Sequence, residues 1–147
     1  MVSRQKRKGT DWEKLFASLI NNNIKKAKAK RIPSSGAIGT ILNMPSLTSD
    51  IRATFNGVTR VFKFEAKTGY GGAKQIALKK EWFDKVREEA DATYAYPAVA
   101  LKFSDAKSGT KYVVALDFET FASLMNIISD LQDELTDVYK ELGEREG

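Results

Sequence analysis

The sequence predicts an α/β protein, a sheet of strands flanked by helices, and three features carry that reading. Asn56-Gly57 stands between two alternating runs, the strongest short-range signal for a two-residue hairpin. Two further apolar runs, 94–103 and 111–116, read as strands joined around Ser108-Gly109. Apolar residues recur at helical spacing in three places: near the N-terminus, after the hairpin and at the C-terminus. At 147 residues the chain fits one domain with length enough to bury a core.

Residues 1–9 read as a flexible basic arm carrying Arg4, Lys6, Arg7 and Lys8, ended by Gly9. Thr10-Asp11-Trp12-Glu13 then opens a helix as a capping box, with Thr10 as cap and Glu13 as its acid. Trp12, Leu15, Phe16, Leu19 and Ile20 form its buried stripe, and Asn21-Asn22-Asn23 ends it. The next segment is strongly basic, with Lys25, Lys26, Lys28, Lys30 and Arg31. It either prolongs the helix or forms a short strand; the alternation of Ala27 and Ala29 hints at an edge strand reaching Ile32. Pro33-Ser34-Ser35-Gly36 begins a loop of turn formers, small enough for close approach to a phosphate and equally suited to a plain connection.

The hairpin comes next. Its turn pairs Phe55 with Val58, which sets Asp50 opposite Lys63, Ile51 opposite Phe62 and Thr48 opposite Glu65. Alternation sorts the side chains onto two faces. Ile51, Ala53, Phe55, Val58, Phe62, Phe64 and Ala66 share a core face, on which Arg60 is the misfit. Asp50, Arg52, Thr54, Thr59, Val61, Lys63, Glu65 and Lys67 share the other. Asp50 and Glu65 then lie diagonally across two strands, within reach of one hard cation, with Lys67 beside them to orient a water. The hairpin alone slightly favours a plainer reading, a solvated face with cross-strand charge pairs.

Thr68-Gly69-Tyr70-Gly71-Gly72 is a loop leaving this face, without the spacing of a phosphate-binding P-loop. A helix is expected from Ala73 to about Ala92, with Ile76, Leu78, Trp82, Phe83 and Val86 inward and Gln75, Lys79 and Lys80 outward. Pro97 weakens the start of the first apolar strand or places it at an edge. The last helix starts at Asp117. Phe121, Leu124, Ile128, Leu131, Leu135, Val138 and Leu142 follow alternating steps of three and four, an a/d heptad pattern. That stripe suits its own core or a second copy equally well. The expected organisation is a basic arm at 1–9, a core at 10–118 and an amphipathic heptad helix at 119–147.

Composition excludes a good deal. The absence of Cys removes disulfides, thiolate metal sites and cysteine nucleophiles, and suits a reducing cytoplasm. The absence of His removes imidazole acid–base chemistry, His-ligated metals and Ser-His-Asp triads. No long apolar run predicts a membrane span, and the basic N-terminus lacks the apolar segment of a secretory signal. Residues 1–31 hold ten Lys/Arg against two acids, whereas 117–147 hold nine Asp/Glu against two bases. A basic front beside a carboxylate pair points to a polyanion, and a phosphate backbone fits best.

Four pieces, in order, resemble a known family: Arg7-Lys8-Gly9-Thr10-Asp11-Trp12-Glu13, Arg31-Ile32-Pro33-Ser34-Ser35-Gly36, Asp50-Ile51 and Glu65-Ala66-Lys67. The chain resembles the PD-(D/E)XK nucleases and, within them, the archaeal-type Holliday junction resolvases and their viral relatives, over residues 7 to about 118. The resemblance implies a restriction-endonuclease-like core, with a mixed central sheet of about five strands flanked by helices. It implies that Glu13, Asp50 and Glu65, with the Ala66 carbonyl, hold Mg²⁺ or Mn²⁺. Lys67 would position the attacking water, and Ser35 would contact the scissile phosphate region. It further implies a homodimer that cuts a four-way DNA junction symmetrically, leaving 5′-phosphate and 3′-hydroxyl ends, with no small-molecule cofactor and no membrane. Arg4, Lys6, Arg7, Lys8, Lys25, Lys26, Lys28, Lys30, Arg31, Ser34, Gln75 and Lys79 would hold DNA. Three departures stand out: Ser49 rather than proline precedes Asp50; the polar residue the family carries in the following helix falls at Trp82 or its neighbours, with Gln75 as a candidate substitute; and the acidic tail beyond residue 118 is longer than the family pattern, which leaves the mode of dimerisation open. The alternatives are a nuclease for duplex or flap DNA, and a non-catalytic junction-binding or bridging protein on the same scaffold.

Overall fold

A computed structural model describes residues 3–32 and 50–146 of the chain. The chain divides into two compact units, Met1–Asp117 and Phe118–Gly147. The first holds helix α1 (Arg4–Asn23), strands β1 (Lys28–Arg31), β2 (Ile51–Phe55) and β3 (Val58–Thr68), helix α2 (Lys80–Asp91), and strands β4 (Tyr96–Lys102) and β5 (Tyr112–Ala115). The second is one helix, α3 (Phe118–Glu146).

The five strands form one sheet in the order β1-β2-β3-β4-β5. Only β3 and β4 run parallel, joined by the crossover through α2; the other neighbours are antiparallel. The sheet is therefore mixed, and the expected α/β class holds. β1 is an edge strand. Asn21 fastens it: its Nδ2 donates to the Ala29 carbonyl at 3.0 Å and its Oδ1 accepts from the Ala29 N–H at 2.7 Å. A side-chain amide thus satisfies both backbone groups of Ala29, as a neighbouring strand residue would.

Both faces of the central strands are covered, so β3 reads as a buried run from Phe62 to Glu65. On one face Phe16 of α1 meets Phe64 edge-on at 4.9 Å, and the Trp12 indole N–H donates to the Ala100 carbonyl at 3.2 Å. On the other, Trp82 and Val86 of α2 pack on Val99 and Leu101. Burying side chains of this size contributes roughly 1.5–3 kcal/mol each.

Four expectations need correction. Helix α1 starts at Arg4, so Ser3 is its cap, accepting from the Lys6 N–H at 3.2 Å, and Thr10 is not. The basic residues of the expected arm lie on helical turns, and Gly9 is helix interior. Helix α2 starts at Lys80 rather than Ala73. Gly69, Gly71 and Gly72 take positive φ, and the Ala77 N–H closes the loop onto the Tyr70 carbonyl at 2.8 Å, which places Gln75 and Lys79 before the helix. At Gly71 an added Cβ would stand 2.4 Å from the Gln75 carbonyl oxygen, so glycine is required there. Pro97 lies in β4, an interior strand. It is tolerated because β5 pairs with β4 only from Val99 onward, so one side of β4 has no ladder partner at Pro97.

The fourth correction concerns register. Phe55 pairs with Val58 as the turn requires, but a bulge between Ala53 and Phe55 shifts the pairing by two residues. Ile51 faces Phe64 rather than Phe62, and Lys63 faces Arg52 rather than Asp50. An even shift leaves each side chain on its expected face. Arg60, the misfit, lies 4.0 Å from the ring centroids of both Tyr94 and Tyr96 and donates to the Tyr94 and Ala95 carbonyls.

Within α3, Phe121, Ile128, Leu131, Leu135, Val138 and Leu142 are all exposed. No helix among the described residues is long and apolar enough to cross a membrane.

Candidate active site

The shifted register carries Asp50 to Glu65. The Asp50 N–H donates to the Phe64 carbonyl at 3.0 Å, its carbonyl accepts from the Ile32 N–H at 2.9 Å, and its Oδ2 accepts from the Ala66 N–H at 2.8 Å. Asp50 is thus held by backbone on both neighbouring strands. Glu65 projects from the middle of the sheet with its side chain only 3% exposed. Burial first, and the Asp50 carboxylate second, push its pKa above the ordinary carboxylate range; Lys85 and Lys67 oppose this.

Lys67 Nζ lies 3.2 Å from Glu65 Oε1. Its ammonium also stands 5.5 Å from the Trp82 ring centroid and 6.0 Å from that of Tyr70. Lys85 was not among the expected site residues. It reaches in from α2 to both Glu65 oxygens, at 3.4 and 3.5 Å. Burial works against its charge, but Glu65, Glu89 and Asp50 outweigh that and raise its pKa. The signal for it was present in the sequence: Lys85 is three residues after the inward Trp82 and beside Val86, at the margin of the buried stripe.

Glu13 is half-buried on α1. Its Oε2 accepts from Arg31 Nε at 2.6 Å. Burial raises its pKa, as does Asp50, while Arg31 and Lys67 lower it. Glu13, Asp50, Glu65 and Lys67 therefore lie within one electrostatic neighbourhood. No three acidic side chains among the described residues are grouped closely enough to hold a metal as they stand. The donor chemistry nevertheless suits a hard cation. Asp50 and Glu65 offer oxygen alone, and a divalent ion beside them would relieve the repulsion that raises Glu65.

The expected DNA-binding residues fall in three places. Arg4, Lys6, Arg7 and Lys8 lie on the first turns of α1, all exposed. Lys8 and Gly9 share a groove of about 510 Å³ with Ala66, Lys67, Thr68, Gly69 and Tyr70. Lys25 and Lys26 lie in the turn after α1, and Lys28 and Lys30 are exposed on β1. Arg31 pairs with Glu13 instead of standing clear. Gln75 is exposed in the loop before α2, and Lys79 at its end has Tyr70 and Trp82 ring centroids at 5.1 and 5.9 Å. Ser34 and Ser35 lie outside the described residues.

A family described as "Phage putative PDDEXK endonuclease" matches residues 4–142. Among solved structures, the chain is similar to the Holliday junction resolvase Hjc of the archaeal hyperthermophile Archaeoglobus fulgidus, at 17% identity and a TM-score of 0.47 over 78% of this chain and 88% of that one. No curated protein gives a match.

Proposed function

The chain belongs to the phage PDDEXK endonuclease family, and from that premise we propose that it is a metal-dependent DNA endonuclease that resolves four-way junctions. One observation carries the catalytic part: the bulged register sets Asp50 beside Glu65, with Lys67 3.2 Å from the Glu65 carboxylate. Asp50, Glu65, the Ala66 carbonyl and Glu13 would hold Mg²⁺, with Mn²⁺ able to substitute. The ion would supply Lewis-acid stabilisation of charge on the phosphoryl oxygens.

The chain's own residues account for the rest. Asp50 is fixed by backbone bonds, so its carboxylate needs little reorganisation. Lys67 positions the attacking water and offers positive charge to the phosphoryl group. Lys8 and the first turns of α1, with Lys28 and Lys30 on the sheet edge, hold phosphates on either side. The junction preference rests on the four sequence pieces in order. We take the working unit to be a homodimer, with the apolar stripe of α3 as its pairing surface.

The test is cleavage of an end-labelled four-way junction in Mg²⁺, beside a linear duplex of matched sequence, with wild type and Glu65→Ala. Paired symmetric nicks near the crossover, with the duplex spared and the variant binding without cutting, are expected. Equal cutting of the duplex would retain the nuclease and remove the resolvase. A junction bound but never cut by wild type would leave a bridging protein.

A further inference from the structure

Among the described residues Arg31 pairs with Glu13, and its guanidinium has the capacity for a second partner. Its Nε donates to Glu13 at 2.6 Å, and both side chains keep some solvent contact, 23% and 18% exposed. A guanidinium carries five N–H donors, and four of them are on the terminal nitrogens. Arg31 ends the edge strand β1, whose Lys28 and Lys30 are exposed, so the strand brings one forked and two point charges to the same margin of the sheet. Glu13 feels the charges of Asp50 and Lys67, yet its hydrogen bond is to the arginine.

We propose that Arg31 is a positioning residue that exchanges Glu13 for a backbone phosphate of the bound nucleic acid, so that strand binding frees Glu13 to complete the metal-binding set with Asp50 and Glu65. The proposal rests on reading the site as a metal-dependent nuclease. Carboxylate and phosphate both present two oxygens to the planar fork, so one charge-assisted pair replaces another. Freed, the Glu13 carboxylate is a half-buried anion beside Asp50, an arrangement that favours a cation. The consequence is linkage: nucleic acid tightens metal binding and metal tightens nucleic-acid binding by the same factor. Free enzyme holds the ion weakly and is quiet until a strand is in place.

The test uses the full chain. Mn²⁺ binding is measured by calorimetry without DNA for wild type, Arg31→Gln, Glu13→Gln, the double variant and Glu65→Gln. Four-way-junction binding is measured in chelator by fluorescence anisotropy across a salt series. Arg31→Gln should tighten DNA-free Mn²⁺ binding by about tenfold, within the usual range for coupled sites. In the Glu13→Gln background the same change should do much less, because removing a nearby positive charge is then all that is left. The salt slope of junction binding should fall by about one phosphate contact. Arg31→Lys, which keeps the charge without the fork, should shift metal affinity in the same direction and serves if the glutamine variant does not fold. Unchanged metal affinity, equal tightening in both backgrounds, or an unchanged salt slope overturns the exchange. Mn²⁺ binding undiminished in Glu65→Gln overturns the metal-site reading itself.

Discussion

Glu65 shows what a buried carboxylate costs the fold that carries it. Its side chain is buried between Lys67 and Lys85, but burial and Asp50 win, and its pKa is raised. A carboxyl whose folded pKa stands above its unfolded value binds protons more readily when folded. Its contribution to stability is present at low pH and is lost as pH rises through the raised pKa. In chelator, Glu65→Gln should therefore melt at or above wild type at neutral pH, with the difference shrinking toward pH 4.5, while cutting nothing. Thermal melts of both proteins across that range check this. A variant less stable at neutral pH would mean that the two lysines outweigh burial.

At the scale of elements, the site depends on parts with no chemistry of their own. The bulge between Ala53 and Phe55 moves Lys63 onto Arg52 and leaves Asp50 for Glu65. Lys63 is then buried near Glu89, where burial lowers its pKa. The β1 edge is tied to α1 by Asn21 at one end and by the Arg31–Glu13 pair at the other. Asn21→Ala removes two hydrogen bonds and should cost about 1–2 kcal/mol. Hydrogen exchange should show the loss first at the Ala29 amide. Uniform protection loss across the sheet would instead mean that β1 opens only with the whole unit.

At the scale of the molecule, charge and the last helix divide the work. Ten Lys/Arg lie within residues 1–31, whereas nine of the acids lie from residue 117 onward. The exposed stripe from Leu131 to Leu142 keeps heptad spacing to the end of α3. Deleting 130–147 should lower the oligomer mass in light scattering; an unchanged mass would place any dimer contact in the first unit. Much of this architecture was legible. Local pattern was enough for the hairpin, the buried stripe of α1 and the pairing of Asp50 with the Glu65 strand; it left the edge strand open, and Leu78, expected inward, is exposed ahead of α2. It failed where a long-range partner overrode a local signal. Thr10 and Glu13 make a convincing capping box, but Ser3 caps the helix earlier and Glu13 finds Arg31, eighteen residues away.

The sequence by itself determined which side chains share a face of the hairpin, because alternation has a period of two and survives an even shift in register. It also determined that any hydrolysis by these residues must draw on carboxylates, lysine, hydroxyls and oxygen ligands for a metal, since histidine and cysteine are absent. Only the tertiary structure decided which residue stands opposite which, because a bulge is set by packing on both faces of the sheet. The same packing brought Lys85 to Glu65 and Arg31 to Glu13. Those pairings join separate elements, and no spacing along one element encodes them.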